Sequence, residues 1–287
     1  MIWLWCTRVI WALLPVTMGG ALADATRDWS TAPARLADVI LWAVWAASLF
    51  ALFAPRPWGL TVLRIVAPCG FVCAAVAAPS TSAASAVLAI VGAGAAAFFA
   101  LSAPFAAAAA NALAYGDEHR FMLRVPLPLV LAPVPVAVLL VGAGATLGPL
   151  LVADGRIAAG VVAIVVGWPL AALLVRALHP LSCRWLVLVP AGVAIADPLT
   201  LTEPVLVRRE QIGHFGRLNA TQLGGQALDL RVGTLVGGVA LELSEPVEFG
   251  HRRGRAHAEM VSATLVAVAV VGADDAVVTA RHRHIRT

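Results

Sequence analysis

The densest group of reactive side chains in this sequence lies in residues 111–124, NALAYGDEHRFMLR, which hold Tyr115, Asp117, Glu118, His119, Arg120 and Arg124. Carboxylates beside an imidazole and a guanidinium are the raw material of acid–base chemistry, or of a site that grips a polar ligand. Gly116 stands just ahead of the charges as a helix-stopping residue, so the stretch is expected to surface as a loop. It is the candidate interaction loop of the chain. An enzyme working at a membrane interface would use residues 117–120, and an ordinary solvated loop has the same composition. A second group, Arg252, Arg253 and Arg255 within HRRGRAH, has the charge to meet anionic lipid headgroups. Juxtamembrane cations gain about 1 kcal/mol each at such a surface. A solvated hairpin tip reads the same way.

Other chemistry is sparse. HExxH, GxSxG and Walker A patterns are missing, so no catalytic residue and no cofactor is expected. Cys6, Cys69, Cys73 and Cys183 make no disulfide framework. Cys69 and Cys73 share a helix face, but no histidine or carboxylate stands near to complete a metal site, and none is expected. His282 and His284, in the closing RHRHIR, read as a frayed terminus.

The elements that carry these groups are set by hydropathy. The chain is 61% hydrophobic and 13% charged, with mean hydropathy +0.89. Soluble domains carry about 25% charged residues, so this chain falls in the membrane class. Apolar stretches at 2–23, 36–54, 60–78, 86–105, 127–147 and 157–178 are each long enough to cross a bilayer as a helix. Ala21-Leu22-Ala23 before Asp24 has the form of a signal-peptidase site, but residues 1–7 lack the positive charge of a leader, so a retained first span is expected. Cleavage would leave five spans. Residues 179–287 alternate and carry charge, and form a separate domain.

Arginines give the expected orientation. Arg8, Arg56, Arg64, Arg120, Arg124, Arg176 and Arg184 flank one side, against Arg27, Arg35 and Arg156 on the other. The N-terminus and the tail then face the cytoplasm. Arg8, Asp38, Arg64 and Arg176 lie near span ends, where they can snorkel. No span carries a central carboxylate, histidine or lysine, which argues against a proton-coupled transporter. Gly144 and Gly148 form a GxxxG, with Gly92, Gly94 and Gly142 as further close-approach positions. They serve packing within the chain or a homo-oligomer through glycine-rich helices. Pro15, Pro68, Pro133, Pro135 and Pro169 are expected to kink their helices. All 20 basic residues are arginine, a bias that points to a GC-rich bacterial genome.

The tail reads as short strands. RWLVLVP and VAIAD flank Ala191-Gly192, a two-residue turn signal. Further strands are expected at 205–212, 227–232, 238–243, 247–250 and 262–270, then a helix over 274–285 with acids first and arginines last. The tail has 11 arginines, 10 carboxylates and 6 histidines, a near balance that excludes a nucleic-acid module.

A strand-rich tail closed by a helix, with the RWLVLVPAGVAIAD hairpin directly after a span, resembles the pleckstrin-homology (PH)-type barrel of bacterial membrane proteins. The AYGDEHR loop and the LHPLSCRW, PAG and DPLTL stretches make the whole chain similar to uncharacterised actinobacterial multi-pass membrane proteins with a C-terminal PH-like domain. The resemblance implies a bundle of about six transmembrane helices (1–178) followed by a cytoplasmic β-rich PH-like domain (179–287) in the bacterial inner (plasma) membrane. It carries no activity. A non-enzymatic anchor or scaffold is expected, with the lipid bilayer, anionic headgroups or a protein as partners. A small-molecule transporter or channel is the alternative, and an interface enzyme the second.

Overall fold

The computed structural model describes residues 2–54, 56–112, 114, 116–219, 224, 227–253 and 257–287. They form two compact units. One is Met1–Ala109 with Ala132–His179, and the other is Ala110–Leu131 with Pro180–Thr287.

The first unit is helical: α1 (Ile2–Ala25), α2 (Thr31–Phe53), α3 (Pro57–Ala77), α4 (Ala83–Leu101), most of α5 (Ala103–Asn111), then, beyond α6 (Leu127–Leu131) of the other unit, α7 (Pro133–Ala153) and α8 (Ile157–Leu178). Six helical stretches are long and apolar enough to cross a membrane. α2 starts five residues ahead of the expected span because Pro33 falls in its first turn, where a missing N–H costs nothing. α1 runs unbroken through residues 21–23. Pro15, Pro68 and Pro169 lie inside continuous helices, whereas the fifth stretch breaks at Ala132, ahead of Pro133.

α3 is the inner helix and packs against α1, α2, α4 and α7. The tightest pair is α7 with α8, and glycine is the reason. A Cβ on Gly144 would come 2.8 Å from the Gly167 carbonyl oxygen, and one on Gly148 3.1 Å from that of Gly160. The GxxxG is thus filled from within the chain. Thr17, Phe71 and Cys69 likewise cover Gly92, Gly94 and Gly142. Several polar groups between helices are paired, as an apolar setting demands, although the buried Ser48 hydroxyl is not. Trp11 and Trp45 donate their indole N–H groups to each other's carbonyls, at 3.3 and 2.8 Å. Arg8 donates to the Leu52 carbonyl at 3.1 and 3.2 Å, with its guanidinium 5.0 Å from the Trp5 ring and 4.8 Å from Phe53.

The second unit is a pair of four-stranded sheets. β1 (His119–Met122), β2 (Trp185–Val189), β3 (Gly192–Ala196) and β4 (Val205–Arg208) form an antiparallel meander in that order. β5 (Ile212–Arg217), β6 (Ala227–Asp229), β7 (Gly238–Arg253) and β8 (His257–Ala269) form the other sheet in the order β5-β7-β8-β6, antiparallel except for β6 against β8. α9 (Ala273–His282) follows, with Asp274 and Asp275 in its first turn and Arg281 in its last, as the helix dipole favours. Leu186, Ile195, Phe215, Leu241, Phe249 and Val266 are among the residues of one shared apolar core.

The unit differs from a contiguous 179–287 tail. Its first strand comes from the connector between the fourth and fifth apolar stretches, because the backbone of 119–122 completes the edge of β2. The expected 205–212 strand is cut by a tight turn at Arg209–Gln211, after which the chain enters the second sheet as β5. The expected strands at 238–243 and 247–250 are one strand, irregular between Glu242 and Val247, where Pro246 cannot donate to a ladder. The hairpin turn is Pro190-Ala191 rather than Ala191-Gly192, since Val189 pairs with Gly192.

Candidate functional site

Strand alternation decides what residues 111–124 can do. After a turn at Gly116 (φ 59°) and exposed Asp117, the chain is extended, and successive side chains point to opposite faces. Glu118 and Arg120 share one face and pair at 2.9 Å. His119 is on the other face, its ring 4.7 Å from that of Phe121, which enters the core. Among the described residues the expected cluster is therefore divided, with Glu118 and Arg120 on one face and His119 on the other. Burial, then the charge of Arg283, hold the His119 imidazole below its ordinary pKa, with Asp275 of α9 acting in the opposite sense. Tyr115 lies outside the described residues.

β1 is an edge strand, and Asn111 covers part of its outer edge. Its side-chain amide donates to the Arg120 carbonyl at 2.9 Å and accepts the Arg120 N–H at 2.8 Å, as a neighbouring strand would. Residues 122–124 then cross to the second sheet: Val271 N–H donates to the Met122 carbonyl, and Arg124 N–H to that of Ala269 at 2.8 Å. Arg124 Nε also reaches the Val270 carbonyl, at 3.3 Å.

The strongest polar arrangement in the unit is one that sequence reasoning missed. The Arg184 guanidinium forks onto Asp197, Nε to Oδ1 at 2.8 Å and Nη2 to Oδ2 at 2.7 Å, with the two side chains 1% and 0% exposed. Its Nη1 donates to the Arg124 carbonyl at 2.8 Å. Asp197 also accepts from Leu199 N–H at 3.1 Å and from the Thr200 hydroxyl at 2.8 Å. Burying an ion pair is tolerated only with such full hydrogen bonding. The pair fastens the β2–β3 hairpin to the segment carrying β1. Arg184, read from sequence as a flanking charge that sets orientation, is a core residue. The signal was present: with Val189 opposite Gly192, the next residues beyond the ladder are Arg184 and Asp197.

The basic hairpin is partly engaged as well. Arg252 N–H donates to the Thr200 carbonyl and its Nε to that of Leu201, at 2.7 and 3.1 Å, which joins the two sheets at a second corner. Arg253 ends β7 opposite His257, and Arg255 lies outside the described residues. In the helical unit a cavity of about 390 Å³ is lined by Asp28, Trp29, Ser30 and Pro33, from the α1–α2 turn into the start of α2, and by Leu147, Leu150, Leu151 and Asp154 at the end of α7. Among the described residues, no three metal-ligating side chains converge.

No protein-family model matches the chain, and neither does any curated protein or solved structure.

Proposed function

We propose that this chain is a bacterial plasma-membrane protein whose six apolar helices span the bilayer and hold a PH-like β domain on the cytoplasmic side. It acts as a non-enzymatic scaffold for a protein or an anionic lipid. The observation that carries this reading is the discontinuous β unit, which takes β1 from between two apolar stretches and locks it with the Arg184–Asp197 pair. A domain built from two chain segments is tied to the apolar stretches at three points of the chain and not at one. Membrane insertion is supported by the outward faces of the helices, where Val161, Val162, Val165, Val166 and Leu173 of α8 are exposed, an apolar surface that water does not tolerate. A PH-like fold is supported by a four-stranded meander, the antiparallel run β5-β7-β8 and a closing helix. The short parallel β6 is an addition to that pattern.

Crosslinking in native membranes, with Asp197→Ala as the control that loosens the β unit, tests the scaffold. A partner protein or bound acidic lipid is expected from the intact chain alone. The same captured set from both proteins would count against the reading.

A further inference from the structure

The second unit exposes large apolar side chains unevenly. Leu235 is 86% exposed, Val236 66% and Val232 42%, all in the link between β6 and β7. The link has a defined shape. Val232 sits at φ 53°, a left-handed conformation that a β-branched residue keeps only when its surroundings impose it. Asp229 takes the Arg231 N–H at 3.0 Å and its guanidinium at 2.9 and 2.7 Å, and Thr234 N–H closes a turn onto the Arg231 carbonyl at 3.1 Å. The apolar tip is thus presented outward by a braced turn.

Its position within the unit identifies what covers it. At the base of the link, Gly237 accepts from Val270 N–H at 2.8 Å and lies against Arg124, whose Nε would be 2.7 Å from a Cβ placed there. Arg124 is three residues ahead of Leu127, where the 27-residue apolar stretch Leu127–Ala153 begins. Three residues reach at most about 11 Å. Leu127, Val130 and Leu131 of α6, in the same unit, are exposed and apolar too. The tip and the start of a span therefore belong to one end of the domain. The Pro190-Ala191 turn marks the other end, a strand length away from Arg184.

We propose that Val232, Leu235 and Val236 form a membrane-inserting tip that seats in the bilayer at the boundary of headgroups and acyl chains, as interfacial apolar groups do. The proposal rests on the reading that the long helices span the membrane. Lipid is the occupant because the tip is apolar and its base, through Gly237 and Arg124, lies three residues from the start of the apolar stretch Leu127–Ala153.

The test uses full-length protein in phosphatidylcholine–phosphatidylglycerol nanodiscs, with a dansyl amino acid incorporated at Leu235, Val236, Ala191 or Val161 in separate preparations. At Leu235 and Val236 the emission should shift to the blue, and quenching by lipids doxyl-labelled near the headgroup should exceed quenching by iodide several-fold. Ala191 should behave as a water-exposed site, and Val161 on α8 as a site in the acyl chains. Iodide quenching at Leu235 and Val236 equal to that at Ala191, with Val161 still in lipid, overturns the proposal. A water-exposed Val161 overturns the spanning reading itself.

Discussion

Replacing Asp197 with alanine removes the carboxylate that receives two guanidinium bonds from Arg184, the Leu199 N–H and the Thr200 hydroxyl. Arg184 would remain in the core as a cation with one acceptor, the Arg124 carbonyl. Breaking a buried pair from one side costs about 3–5 kcal/mol, because the surviving charge is left uncompensated. For a domain of this size, about 4 °C is lost per kcal/mol, so the β unit should melt roughly 10–20 °C lower. Replacing both partners, as Arg184→Met with Asp197→Leu, removes the stranded charge and should cost less than Asp197→Ala alone. Full-length protein in detergent, pulsed with protease at stepped temperatures and probed for the C-terminal segment, measures both effects. The pair does not fasten the unit if Asp197→Ala melts within about 2 °C of the parent, or if the double variant melts lower than Asp197→Ala.

Three further outcomes are expected. Because the His119 imidazole is held low in the folded unit, its contribution to stability is present above the unfolded pKa of about 6.5 and lost as pH falls below it through the lower folded pKa; a His119→Gln variant should lose less stability than the parent between pH 7.5 and 5.5 in thermal melts. Gly144→Val places methyl groups against the Gly167 backbone and should weaken α7–α8 packing by about 1–3 kcal/mol, whereas Gly70→Ala, whose Cβ meets open space, should be neutral or stabilising, as read by denaturant resistance in detergent. Asn111→Ala removes two hydrogen bonds that cover the edge of β1 and should cost about 1–3 kcal/mol, measured by chemical denaturation of the purified chain.

What the sequence made legible followed from local physics. The six apolar stretches were visible because span length is a count of consecutive residues. α9 was visible because acids and arginines are sorted along it, and β2, β3 and β8 because their apolar runs are bounded by turn residues. The missed parts depended on partners far along the chain. His119–Met122 is four residues with one arginine and one imidazole, and nothing within it says that its edge fits Leu186 to Leu188, more than sixty positions away. Moving the hairpin turn by one residue was enough to hide the opposition of Arg184 and Asp197. The loop charges looked like one cluster because proximity in sequence is not convergence in space. Once the segment is a strand, His119 and the Glu118–Arg120 pair face opposite ways.

The β domain takes its first strand from the connector between two long apolar helical stretches. Hydrogen–deuterium exchange on the full-length protein in nanodiscs tests it most directly. The amides of residues 119–122 should be protected to the same degree as those of 185–189, and Asp197→Ala should release both together. Exchange of 119–122 at the rate of a free loop, with 185–189 still protected, would contradict it.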